Sequence, residues 1–409
     1  MGDCDWSPLP VDILGEILLK LESPQDIIYF SMVCSSWHYA YSYYKKKWNK
    51  SMPWLMLPEN TKDNPNFLRK IFCANNQRCY QLKPPQTFGA RCWGSYCGWI
   101  VTLDFNQDLH MFNPLTTTRI PLPHLSTMPG YDEFFWDEDF FEINDTKFDV
   151  LRGIFLQKVL VIQANDKGGG GGGGDDYILI TIPGQPNGII SYAKSGDLEW
   201  TSVITKGINK GACVLDVVRW GSQMIFLYWD GGTGYCDINK LDHSNLEPAT
   251  LMEYLPPPTN SLKNRALEKV YLLVSFGDLL IVRRLKQMIN YDDDEIGDPD
   301  YFSYQTMDFE VYKLKLGTKN WKRVNESDDV ALFVGDNTCM SVRASNFSNC
   351  KNNCIYFTDD EWQFWNSSDV KRGHDMGLFN ITNKKIETIN EGDDIRSIFC
   401  TDLWFIPMF

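Results

Sequence analysis

The residues best equipped for chemistry in this 409-residue chain are five histidines, His38, His110, His124, His243 and His374, and 12 cysteines. A nucleophilic or acid–base centre would place one of them in a Gly-x-Ser-x-Gly, His-Glu-x-x-His or Cys-His pattern, because the reacting group needs a base within hydrogen-bond reach. No such pattern occurs. A structural zinc ion needs four tetrahedral ligands, usually as two closely spaced pairs. Cys350-x-x-x-Cys354 and Cys92/Cys97 each supply one pair with no second at matching spacing, and packing accounts better for both. The seven glycines Gly168 to Gly174 lack the Gly-Lys-Ser/Thr ending of a phosphate loop and read as a flexible spacer between two strands. Two acidic runs, Asp132-Glu133 … Asp137-Glu138-Asp139 … Glu142 and Asp292-Asp293-Asp294-Glu295 … Asp298, lack the fixed Gly and terminal Glu of a Ca²⁺ loop. They read as solvated loops. The expectation is a non-enzymatic chain without metal or cofactor.

Recognition chemistry is the alternative to catalysis. The first acidic run interleaves its carboxylates with Phe134, Phe135, Trp136, Phe140 and Phe141, which is odd for a purely solvated segment and marks these five as candidate substrate-binding residues. A net charge of −14 argues against nucleic acid, whose affinity comes mainly from Lys and Arg on phosphates, and against anionic lipid. The start Met1-Gly2-Asp3-Cys4-Asp5-Trp6 has no secretory pattern, and no apolar run is long enough to span a bilayer. The expected location is the cytosol, the nucleus or both, with the cysteines reduced. Fourteen Trp lend mild support to a rival reading, a β-domain receptor for a small molecule or glycan.

Two kinds of element must position these residues. Residues 5–50 read as helical: Leu14, Ile17, Leu18 and Leu21 make one apolar stripe on a helix from about Val11 to Leu21. Ser23 as N-cap, Pro24 at the first helical position and Asp26 closing a capping box start a second helix carrying Ile27, Ile28, Phe30, Met32 and Val33. It breaks at Ser35-Ser36, and a third helix runs from near Trp37 to Trp48. Three helices in roughly 45 residues cannot bury all their apolar surface, so a docking face remains. Residues 51–88 read as a connector with a short helix, Pro65 to Cys73.

From Gly89 to residue 409 the pattern is short β-rich runs broken by Gly, Asn, Asp and Pro. Five apolar strands recur: Gly98–Leu103, Val159–Ile162, Met224–Trp229, Leu279–Val282 and Cys354–Thr358. Their partners are Leu109–Phe112, Tyr177–Ile180, Tyr235–Ile238, Phe309–Leu314 and Gly377–Ile381. Gly196–Val203 and Gly317–Val324 share Gly-x-x-x-Trp-x-x-Val as return strands. The period is somewhat above the ~40–50 residues of a propeller blade. The predicted fold is mainly β: three helices followed by a β-propeller-like domain of five to seven blades, with a sandwich as the alternative. Ser397–Cys400 and Trp404–Ile406 would close the ring by completing the first blade.

The run Leu9-Pro10 … Ile13-Leu14 … Ile17 … Leu21 … Asp26 … Val33-Cys34 … Trp37 resembles the F-box. The resemblance implies a non-catalytic subunit that docks a Skp-type adaptor and, through it, a cullin–RING (SCF-type) ubiquitin ligase. The implied adaptor-binding residues are Leu9, Pro10, Ile13, Leu14, Ile17, Leu21, Val33, Cys34 and Trp37, the last three partly core. Gly94–Asp104 followed by Asn113-Pro114-Leu115-Thr116, Ile355–Asp360 and Trp404–Pro407 resemble the plant-specific C-terminal domain of F-box/kelch-type proteins. The paired glycines of a strict kelch repeat occur only at Gly231-Gly232 within these units. The KIB-type branch of that family recruits shaggy-like (glycogen-synthase-kinase-type) kinases in brassinosteroid signalling, so the resemblance implies such a kinase as one target.

Overall fold

The computed structural model describes residues 6–21, 24–48, 52–57, 69–74, 78–82, 87, 89–96, 98–134, 155–163, 177–184, 189–205, 214–228, 231–241, 245–248, 266–289, 303–314, 320–326, 328–360, 375–388 and 402–407. Three helices open the chain: α1 (Val11–Lys20), α2 (Pro24–Met32) and α3 (Ser35–Trp48). Pro24 heads α2, where its missing N–H removes no helical bond. The expected cap, Ser23, lies outside the described residues. The third helix starts at Ser35, two residues ahead of the expectation from Trp37. Serine suits a helix start, since its hydroxyl can take up a backbone group there. Leu14, Leu18, Ile27, Phe30, Ala40, Tyr41 and Tyr44 form the bundle's own core. At Gly15 a Cβ would lie 2.3 Å from the Tyr44 ring, so α1 and α3 approach closely only because that residue has no side chain.

The remainder is a six-bladed β-propeller, within the predicted range. All five strand pairs read from the sequence hydrogen-bond as antiparallel neighbours, and both Trp-bearing return strands take outer positions. The expected short helix at Pro65 to Cys73 is corrected: residues 65–68 are outside the described set, and Arg69–Cys73 is a strand. Its side chains alternate, Arg69, Ile71 and Cys73 buried with Lys70 exposed, a period of two that fits a pleat and no helix. With Trp54–Met56 and Arg78–Leu82 it builds a blade that the sequence reading had assigned to the connector. The sheets therefore begin at Trp54, ahead of the Gly89 boundary. Leu403–Phe405 closes the ring as expected, and it does so by pairing antiparallel with Trp54–Met56 of this extra blade.

In sequence order from Trp54, blade one is completed by Leu403–Phe405, and blade two spans Arg91–Tyr96 to Arg119–Pro121. Blade three spans Leu156–Gln163 to Thr201–Ser202, and blade four Val214–Trp220 to Asn245–Pro248. Ile204–Thr205 joins blade four in parallel at its outer edge. Ala266–Ser275 to Trp321–Val324 form blade five, and Val330–Val334 to Ile386–Thr388 blade six. Six apolar clusters each join two successive blades, so burial runs around the whole circle. At Gly94 (φ +62°) a Cβ would sit 2.8 Å from the Val159 carbonyl oxygen, which lets blades two and three touch backbone to side.

In blades one to five strand direction alternates from the inner strand outward and sorts the turns onto two rims. Their inner-to-second and third-to-outer turns share the rim that receives the chain from α3, hereafter the helix rim, and their second-to-third turns share the opposite, loop rim. Blade six departs from this order: Val330–Val334 pairs antiparallel with the inner strand Met340–Arg343 and parallel with Cys354–Phe357. Ile28 of α2 packs on the Trp54 and Met56 cluster and seats the bundle against blade one.

Candidate functional site

Beneath the bundle's surface the core is complete; above it an apolar corner stays uncovered. Ile13 is 49% exposed, Val33 54% and Met32 74%. Pro10 is also exposed, while Leu9, Ile17, Leu21, Cys34 and Trp37 are half-buried. Leu14 lies fully inside and supports the face from below. Three contacts gather these residues. Trp37 Nε1 donates to the Trp6 carbonyl at 3.1 Å, and Ser36 Oγ donates to the Ser7 carbonyl at 3.1 Å. Cys34 Sγ lies 3.6 Å from Ser36 Oγ. The leader Leu9-Pro10 is thereby held beside the α2–α3 corner, with Ile13 one turn further along α1. Phe30 and Trp37 stack obliquely beneath at 4.5 Å. Such a corner can bind another apolar helix and has no chemistry of its own.

In the propeller several buried charged residues are tied to one another. At the loop-rim mouth of the central channel each blade sets one charge at or beside its inner strand: Asp402, Arg91, Lys158, Asp216, Lys269 and Asp336. Lys158 pairs with Asp216, whose second oxygen accepts from the Leu272 N–H at 2.7 Å. Lys269 lies 2.7 Å from Asp336, and Arg91 reaches the same carboxylate from across the channel at 3.9 Å. Burial works against the Lys158 charge, yet Asp216 outweighs it and raises the ammonium pKa. Burial pushes the neighbouring Cys339 thiol up to about 12, so it stays protonated. Lys158, Asp216, Lys269 and Asp336 thus each face an opposite charge at this mouth.

A second buried network joins blades five and six. Arg284 donates through Nε to Thr306 Oγ1 at 2.7 Å, and through its two end nitrogens to the Thr358 carbonyl at 2.6 Å, Asp360 at 3.2 Å and Asp375 at 3.0 Å. Lys286 contacts Asp360 at 2.5 Å, Tyr271 donates to the same carboxylate, and Tyr304 donates to Asp359 at 2.5 Å. Burial would raise the Asp360 pKa, but Lys286 and Arg284 overcome it and hold the carboxyl well below the usual range. The sequence reading ended the blade-five strand at Val282; it runs on through Arg283-Arg284-Leu285-Lys286 to Ile289. The signal available was alternation, with Leu285 facing away from two cations that then need acids elsewhere.

Of the candidate target-binding residues, Phe134 ends a short helix, α4 (Tyr131–Phe134), on the loop rim. Phe135, Trp136, Phe140 and Phe141 lie outside the described residues, as do the glycine tract, Cys97, His243 and His374 and the acidic run Asp292 to Asp298. Cys92 and Cys354 are buried, and burial pushes the half-buried Cys350 up to about 11, as expected of packing thiols.

The KIB1-4 β-propeller family model matches residues 69–380, three quarters of the chain. This chain belongs to the KIB1-4 β-propeller family. Like it in sequence is the F-box protein SKIP23 of Arabidopsis thaliana, 24% identical over 97% of this chain and 94% of that protein. The F-box/kelch-repeat protein KIB1 of the same plant is 23% identical over 93% of this chain and 82% of its own length. At 97% of this chain, the SKIP23 alignment takes in most of the helical bundle as well as the propeller.

Proposed function

We propose that this chain is the substrate-recognition subunit of a cullin–RING (SCF-type) ubiquitin ligase, working in the cytosol or nucleus. The uncovered corner of Pro10, Ile13, Met32 and Val33, standing on a core that is already full, carries the reading. In it the bundle docks a Skp-type adaptor and the propeller holds the target. Neither domain contributes a reacting group. Ubiquitin transfer is accelerated because a bound target lysine is presented at high effective concentration and in fixed orientation. A shaggy-like kinase is the target class implied by the KIB-type resemblance, and capture of such a kinase by the full chain tests that part separately.

Combining Ile13→Asp with Val33→Asp should abolish adaptor binding. Each apolar anchor is worth about 1.5–3 kcal/mol when buried, so the pair should cost roughly a hundredfold or more in affinity. Both side chains are half exposed or more, so the melting temperature should stay unchanged. Full adaptor binding by the folded double variant, read by calorimetry, would refute the reading.

A further inference from the structure

The inner strands of blades four, five and six end at Trp220, Ser275 and Arg343. After Ser275 a two-residue loop on the helix rim closes the blade-five hairpin, with Phe276 at φ +49° and Gly277 at φ +93°. Two successive left-handed residues suit Asn-Gly or Gly-Gly, because that backbone crowds a bulky side chain. Phenylalanine is a poor choice for such a turn, and this one gains little burial in exchange: 52% of its surface is exposed. Trp220 Nε1 donates to the Gly277 carbonyl at 2.8 Å and ties the turn to blade four. A Cβ at Gly221 or Gly277 would meet nothing within 4 Å, so the surface beside both rings is open.

Blade six adds a charge to this aromatic pair. Arg343 is exposed and lays its guanidinium over the Phe276 ring, 4.3 Å from the centroid. Among the described residues no hydrogen bond or ion pair engages it. Asp329 feels its charge, but the two oxygens of that carboxylate accept from the Ser345 N–H at 2.7 Å and hydroxyl at 2.6 Å. Asp278, beside Gly277, is held by Lys313. Arg343 therefore stands without a contacting counter-charge on a chain of net charge −14. A flat guanidinium already resting on a ring loses little freedom when a carboxylate meets its open donor edge. Arginine and large aromatic side chains are also the groups that dominate binding energy where proteins meet.

We infer that Phe276 and Arg343, backed by Trp220, form a target-docking face on the helix rim. It takes an extended acidic segment of the target protein, in which a Glu or Asp sits beside an aliphatic side chain. The inference rests on the ligase reading and adds the target's chemistry to it. The carboxylate meets Arg343, and the aliphatic side chain packs on Phe276. In this account the strained turn persists because it holds the ring out for a partner. Blade four stands opposite blade one, where the bundle is seated, so the target is held across the ring from the adaptor hook.

The probes are three short fluorescent peptides read by anisotropy against the full chain. One carries a central Leu between glutamates, the second replaces the glutamates with Gln, and the third replaces the Leu with Ser. The first should bind about tenfold or more tightly than the others, and raised salt should weaken it. Arg343→Gln and Phe276→Asn should each reduce its affinity about tenfold. Asparagine suits the left-handed turn position, so the melting temperature of Phe276→Asn should hold or rise, which a merely structural phenylalanine would not allow. Equal binding of the three peptides, wild-type affinity in either variant, or a lower melting temperature in Phe276→Asn overturns the inference. Adaptor binding on the same samples should be unchanged, and its loss in Arg343→Gln would assign the face to the adaptor and overturn the inference as well. A chain that selects the first peptide but binds no adaptor refutes only the ligase reading; an adaptor-binding chain that ignores the peptides refutes only this face.

Discussion

Arg284→Met should lower the unfolding free energy by about 3–5 kcal/mol, a large point effect. The guanidinium is fully buried and its donors are engaged by Thr306, Thr358, Asp360 and Asp375. Methionine fills most of the volume but leaves Asp360 and Asp375 without the guanidinium, with Lys286 still beside Asp360. Arg284→Lys should rescue little, because one ammonium cannot reach acceptors spread around a planar fork. Chemical denaturation measures both, and near-wild-type stability in either would refute this account of the network. The same network sets an acid limit. The folded-state pKa of Asp360 is depressed, so its contribution is complete above the unfolded value of about 4 and is lost as pH falls below that toward the folded value. Asp360→Asn should therefore be less stable at neutral pH and show a shallower loss of stability between about pH 4 and 2.

Trp404→Ala should cost a further about 3–5 kcal/mol, the usual range for removing a large buried aromatic. The indole sits in the ring-closing strand, 1% exposed, with its Nε1 donating to the Val334 carbonyl at 3.2 Å. Its ring meets Phe333 edge-on at 5.0 Å and Tyr356 at 6.5 Å, so one side chain joins blade one to blade six. Ending the chain at residue 401 should be worse, since blade one loses its inner strand and exposes a row of unpaired backbone groups beside two apolar clusters. Calorimetry of the point variant and the soluble yield of the truncation check these expectations; full recovery of soluble, wild-type-like truncated chain would show that closure contributes little.

How much of this was legible depended on whether a signal was local. The bundle was readable because its stripe, its proline and its Val-Cys-x-x-Trp corner each lie within a few turns of helix. One antiparallel strand pair in each of blades two to six was readable as apolar runs bounded by turns. Blade one was not, because Leu403–Phe405 and Trp54–Met56 are three-residue strands paired across nearly the whole chain, and neither is long enough to show a period. The inner strand Val214–Trp220 was missed, and Leu156–Gln163 was read only from Val159, because Asp216 and Lys158 look like solvent residues until their pairing between neighbouring blades is known. The same holds for Arg284 and Lys286, whose counter-ions stand more than 70 positions away. Spacing within one strand carries no trace of such a pairing.

Closure by the C-terminal strand has a consequence during synthesis. Helices α1 to α3 leave the ribosome before the propeller, whereas the strand that seals blade one follows every other described strand. At about 5–20 residues per second the two events are separated by roughly 20 to 70 seconds. Throughout that interval blade one lacks its inner strand, and the edge of Trp54–Met56 waits for Leu403–Phe405 to emerge.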